Sequence, residues 1–114
     1  MESYQVTLPF PPSLNGLYPG KARRFKSKRY KQWLIDCPTL EPRRYDLVRI
    51  TYKIYYPDKK VRDSKNFLKA VDDYLVAQDV IVDDNWMVLA REIIEPCGID
   101  RGNPRIEIII QPRL

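Results

Sequence analysis

One stretch of this chain sets a carboxylate among cations just where a patterned helix begins: Asp58-Lys59-Lys60-Val61-Arg62-Asp63-Ser64-Lys65-Asn66-Phe67-Leu68-Lys69-Ala70. Lys59, Lys60, Arg62 and Lys65 are of the type that grips a phosphate backbone. Asp63 among them is of the type that pins a divalent metal against one. Asp83-Asp84, further along, could complete such a metal site. Hydrolysing a phosphodiester at neutral pH needs a water made nucleophilic and a leaving oxygen stabilised. A divalent ion held by carboxylates does both. Asp63 at a helix start and Asp84 before a strand would bring carboxylates from rigid element ends, with Asp83 as accessory ligand. Lys69 would neutralise charge on the transition-state phosphate. Plainer chemistry accounts for the same residues. An Asp at a helix start is a cap, Asp-Asp before a strand is a turn, and Lys69 can pair with Asp73 one turn on. Residue types alone leave both readings open.

Several alternatives are removed by what the chain lacks. It has no histidine, so Ser-His-Asp and Cys-His nucleophile systems and imidazole metal ligands are excluded. Carboxylates with an oxygen-ligated metal, Mg²⁺ first and Mn²⁺ as its substitute, remain as hydrolytic tools. Cys37 and Cys97 lie far apart with no C-x-x-C spacing, which argues against structural zinc and for two free, reduced thiols in a cytoplasmic protein. Lys and Arg number 20 against 15 acids, a net charge of +5. That sign favours a polyanionic partner, nucleic acid or an anionic membrane surface. No long uncharged apolar run permits membrane insertion, and the N-terminus lacks the pattern of a signal peptide.

The elements that must position these residues follow from periodicity. A length of 114 residues predicts one domain over 1–114. Tyr4-Gln5-Val6-Thr7-Leu8 reads as a strand, stopped by the proline-rich run Pro9 to Gly16. That run is a connector, or a stiff loop presenting Phe10, Ser13 and Asn15 to a ligand. Lys21, Arg23, Arg24, Lys26, Lys28, Arg29 and Lys31 crowd the next stretch around Phe25 and Tyr30. With almost no compensating acid before Asp36, the run suits nucleic-acid contact better than a merely solvated face. Ser27 caps a helix through Tyr30, Trp33 and Leu34, ended by Cys37-Pro38. Leu47 to Tyr56 is the clearest strand, with Val48, Ile50, Tyr52 and Ile54 on one face. Phe67, Ala70, Val71, Tyr74 and Leu75 mark the buried stripe of the second helix, and Lys65, Lys69 and Asp72 fall on its polar side. Trp86 to Ile94 is predicted as a strand, Glu95 to Pro104 as a turn region, and Arg105 to Ile110 as the last strand. The order strand, helix, strand, helix, strand, strand predicts an α/β fold of the α+β type: a small mixed or antiparallel sheet with helices on one face. Trp33 and Trp86 serve equally as core or as interface residues.

Leu8-Pro9-Phe10-Pro11-Pro12-Ser13-Leu14-Asn15, then Pro57-Asp58, Arg62-Asp63 with Asn66, Leu68, Lys69 and Ala70, and later Asp83-Asp84, together resemble the RusA family of Holliday junction resolvases in order and spacing. The likeness runs through nearly the whole chain. It implies a small homodimeric, Mg²⁺-dependent endonuclease, often phage- or prophage-borne, that binds four-way DNA junctions and nicks two strands symmetrically. It further implies that Asp63 and Asp84 are metal-binding catalytic residues and that Lys69 is catalytic or phosphate-contacting. One departure matters. The family pattern is Arg-Asp-x-Asp-Asn, whereas this chain reads Arg62-Asp63-Ser64-Lys65-Asn66. If the second aspartate binds metal, Lys65 deletes a ligand and adds a cation. Two like unit charges ~4 Å apart repel by ~4 kcal/mol at an effective dielectric of 20, an upper range for a flexible lysine. Three readings follow: an active resolvase; a junction-binding form with impaired cleavage; and, outside the resemblance, a basic RNA- or ribosome-associated binding module without an active site.

Overall fold

The computed structural model describes residues 3–13 and 27–112. Strand β1 (Tyr4–Pro9) is followed by helix α1 (Lys28–Asp36), strand β2 (Val48–Tyr56), helix α2 (Lys65–Ala77), strand β3 (Leu89–Ile99) and strand β4 (Arg105–Pro112). The sheet order is β1-β4-β2-β3. β4 runs antiparallel to both β1 and β2, while β3 runs parallel to β2. The sheet is therefore mixed, and α2 is the crossover that a parallel pair requires. The α+β architecture matches the sequence-based expectation.

Alternation along β2 and β4 decides which face is covered. Val48, Ile50, Tyr52 and Ile54 are fully buried, as are Ile106 and Ile110, with Ile108 nearly so. Arg49, Thr51, Lys53 and Tyr55 alternate with them and remain partly exposed. Both helices contribute to the resulting core. α2 buries Phe67, Leu68, Ala70, Val71, Tyr74 and Leu75; α1 buries Tyr30 and Trp33. Trp33 meets Tyr74 edge-on at 5.8 Å, and its indole N–H donates to the Pro9 carbonyl at 2.8 Å. Ser27 caps α1 as expected, its hydroxyl accepting from the Tyr30 amide at 3.1 Å. Trp33 is thus core.

The chain departs from expectation around β3. Trp86 to Val88 form turns rather than strand, and Glu95 to Ile99 belong to β3 rather than to a turn. Asn85 explains the late start. Its side chain accepts from the Met87 amide at 2.9 Å, and its carbonyl takes the Val88 and Leu89 amides, local bonds that compete with a ladder. Trp86 is left 81% exposed and belongs to no core. At the far end the ladder shifts register between Ile54 and Tyr55. Gly98 there adopts φ +113°, and a Cβ at this position would meet nothing within 4 Å, so backbone conformation, not crowding, favours glycine.

Candidate active site

The acids and cations singled out in the sequence gather around α2. Ser64 occupies the cap position of this helix but makes no side-chain cap bond. Asp63 does that work, its Oδ1 accepting from the Lys65 amide at 3.0 Å. A carboxylate at this end also meets the positive pole of the helix. Its cap reading is therefore realised, and Asp63 still stands exposed at the head of the helix.

Asp84 is delivered by the segment that follows α2. Asp79 turns the chain with φ 59°, a conformation that Asp tolerates. Val80 and Ile81 then bury completely. The Val82 amide donates to the Tyr45 carbonyl at 3.0 Å, completing a single parallel bridge between Tyr45 and Ile81. With that anchor set, Asp83 and Asp84 emerge beside the helix. Asp83 accepts from the Asp84 amide at 2.8 Å and from the Asn85 side chain at 3.0 Å, and these bonds, the backbone one foremost, hold its carboxyl below the usual range. Turn chemistry therefore engages both Asp83 oxygens. Asp84 instead faces Lys69.

Lys69 Nζ lies 2.9 Å from Asp73 Oδ1 and 3.3 Å from Asp84 Oδ2. The hydrogen bond to Asp73, with Asp84 adding to it, raises the ammonium group above its ordinary value and so keeps it charged. The i,i+4 pair read from the sequence is present, and the same lysine ties helix to loop. Lys65 lies one turn earlier on the same helix face, about 6 Å along the axis. Two ammonium side chains thus share the face that carries Asp63 at its head and meets Asp84 alongside.

The remaining predicted contacts divide into three groups. Lys28 and Arg29 stand exposed on α1, and Lys59, Lys60 and Lys65 stand exposed before and at the start of α2. Arg62 is engaged: its guanidinium makes a two-pronged bond to Asp58 at 2.7 and 3.1 Å and lies 5.4 Å over the Phe10 ring. The Arg62 bond, then the Lys60 amide, hold the Asp58 carboxyl down to about 2. Asn15, Arg23, Arg24 and Lys26 lie outside the described residues.

A divalent ion is the group that the sequence resemblance implies, and the donor set can be tested against it. Among the described residues, no three carboxylate or thiol side chains lie close enough together to hold an ion. Asp84 is paired with Lys69, Asp83 is consumed by its turn, and position 65 offers an ammonium group. As folded, these residues do not fit a ready-made divalent-metal site.

One cluster escapes a reading of the sequence. Spacing puts Asp72 on the polar side of α2, yet its Oδ1 accepts a short hydrogen bond from the hydroxyl of the fully buried Tyr52, with Glu92 3.4 Å from the same hydroxyl. Burial lifts the Asp72 carboxyl to about 7 against the pull of the Tyr52 bond, and Glu92, Asp84 and Asp73 reinforce the lift. A signal is present all the same. Asp72 falls at i+4 from Leu68 and three before Leu75, on the border of the apolar stripe rather than opposite it.

No family model matches the chain. The chain is 30% identical over 122 aligned residues to the crossover junction endodeoxyribonuclease RusA of Escherichia coli (strain K12) and, equally, to that of Shigella sonnei (strain Ss046). In each case the alignment covers 96% of this chain and 95% of the relative. No helix among the described residues is long and apolar enough to cross a membrane.

Proposed function

The chain belongs to the RusA family of crossover junction endodeoxyribonucleases, and on that basis we propose that it engages four-way DNA junctions as a homodimer, with strand cleavage held back by Lys65. Asp63, Asp84 and Lys69 keep the catalytic positions that the resemblance assigns. Exposed Lys28, Arg29, Lys59, Lys60 and Lys65 supply the cationic contacts to phosphate, so binding weakens as salt rises. A two-fold dimer would match the approximate two-fold symmetry of a junction and the need for paired cuts.

The observation that carries the impaired-cleavage reading is the shared face of Lys65 and Lys69. Any divalent ion approaching Asp63 and Asp84 meets two ammonium groups and, at position 65, loses the carboxylate of the family pattern. The carboxylate lost and the cation gained at position 65 both weaken metal affinity, and the added charge strengthens the attraction for DNA.

The test is one binding and nicking assay with and without Mg²⁺. It uses a synthetic four-way junction, a duplex of equal length, the parent protein and Lys65→Asp. Preferred junction binding by both proteins is expected, with symmetric nicking faster in Lys65→Asp by at least roughly tenfold, the rate equivalent of about 1.4 kcal/mol. Equal nicking by both proteins would remove Lys65 from the account and leave an active resolvase. Failure to prefer the junction over the duplex would overturn the assignment in favour of a general nucleic-acid-binding module.

A further inference from the structure

Beside Asp63 a cavity of about 640 Å³ opens between the proline-rich end of β1, α1 and the start of α2. That volume lies within the ~300–1,000 Å³ range of small-ligand sites, room for one nucleotide and far too little for a duplex. Its walls differ from one another. One is a layer in which the Arg62 guanidinium lies over the Phe10 ring at 5.4 Å, and Phe10 in turn packs on Phe67 at 5.1 Å with the two rings tilted by 38°. Asp58 clamps both prongs of Arg62. With both prongs held by a carboxylate, the guanidinium is positioned and already paired, poorly suited to gripping phosphate but suited to stacking. Arg29 and Lys60 also line the cavity, Lys60 next to Arg62, whose guanidinium donates to the Lys60 carbonyl at 3.3 Å; the side chains of Arg29 and Lys60 have no hydrogen-bond or ion-pair partner among the described residues. The Asn66 side chain, also without a partner there, lines the same space.

We propose that this cavity receives one unstacked nucleotide of the bound strand, its base lying on the Arg62–Phe10 layer, its hydrogen-bonding edge facing Asn66 and its flanking phosphate held by Arg29 and Lys60. The inference rests on the junction-binding reading above and deepens it. A guanidinium plane backed by an aromatic ring is a stacking platform for an extruded base. A side-chain amide carries both a donor and an acceptor, as the edge of a base does. Unattached cations at the mouth suit the backbone on either side. The occupant is also available. Bases at a branch point have a discontinuous stack, so extruding one costs less there than within a duplex. Because Asp63 lines the cavity too, a base seated here would set the register of the adjoining phosphate against the candidate active site. The cavity would then discriminate between strands that can yield a base and strands that cannot.

The test places 2-aminopurine singly at each nucleotide flanking the branch point of a synthetic junction and follows its emission as full-length protein is added, in the absence of Mg²⁺. At one position emission should rise severalfold at saturation. The rise should be lost or at least halved in Asn66→Leu, an exposed site, and in Arg62→Lys, which keeps the charge but removes the plane. Thermal melting checks that both variants fold; if Arg62→Lys does not, Asn66→Leu alone decides. Junction binding in preference to duplex with unchanged emission at every position would overturn the cavity's role while leaving the junction assignment standing. Undiminished emission in a folded, junction-binding Asn66→Leu would overturn it as well. Loss of junction preference in the parent protein would instead overturn the functional reading, and the inference with it.

Discussion

Replacing Asp72 by Asn should change how stability depends on pH, and the size of the change follows from the Tyr52–Asp72 contact. Burial raises the folded-state carboxyl from an ordinary 3.8 to about 7. A group whose folded value lies above its unfolded one binds protons more tightly in the native state. Its stabilising contribution is complete below pH ~4 and is lost as pH rises through about 7. At about 1.4 kcal/mol per pH unit the full effect would be about 4 kcal/mol. Asp72 keeps some solvent contact, so roughly half of that, about 2 kcal/mol, is the working expectation. In the Asp72→Asn variant the amide Oδ1 would still accept the Tyr52 hydroxyl bond, but the amide has no charge to bury. Urea unfolding of both proteins at pH 4, 5.5, 7 and 8 isolates the difference, because all other titrating groups are common to the pair. The variant should match the parent at pH 4 and exceed it by about 2 kcal/mol at pH 8. Parallel profiles over this range would refute the argument, since they would mean that Asp72 is ionised at no cost in the folded chain.

Other expectations are simpler to state. Trp33→Phe keeps the ring packing against Tyr74 but leaves the Pro9 carbonyl without its donor; urea unfolding should show a loss of about 1–2 kcal/mol. Lys69→Ala, made in the Lys65→Asp background, should lower Mg²⁺-dependent nicking by roughly a hundredfold, the order of losing one charge-stabilising donor. A gel-shift titration should show junction affinity changing far less. Cys97 is exposed, whereas burial, with Asp36 adding to it, pushes the Cys37 thiol up to about 12. A thiol reagent at pH 8 should therefore label one cysteine in the native protein and two in urea.

The sequence is most legible where apolar spacing meets a single, well-populated period. β2 and the stripe of α2 are such places, because each alternation or turn repeats several times and every repeat buries a large side chain. β3 differs from its pattern at both ends. Asn85 holds the chain in local bonds that alternation does not reveal, and the proline and glycine at Pro96 and Gly98 look like a turn unless the irregular end of a ladder is already known. The candidate site is legible as residue types and only half legible as geometry. Spacing alone pairs Lys69 with Asp73, but its second partner, Asp84, depends on how Val80 and Ile81 bury. Arg62 reads as one more phosphate contact, because nothing in a linear string says that Asp58 will clamp it over Phe10. Asp72 is hidden because an acid on a helix border looks solvated until the strand beneath is known to bring a tyrosine hydroxyl.

The outer rim of β3 carries a consequence for how this protein behaves in concentrated solution. An unpaired strand margin is a template on which other chains can polymerise. Among the described residues β3 pairs only with β2, and it bears Arg91, Glu92 and Glu95, while Pro96 removes an amide hydrogen where the ladder already slips register. Neither a straight hydrogen-bonding row nor an uncharged strip is on offer, so the edge nearest the parallel pair resists runaway sheet growth through its own residues.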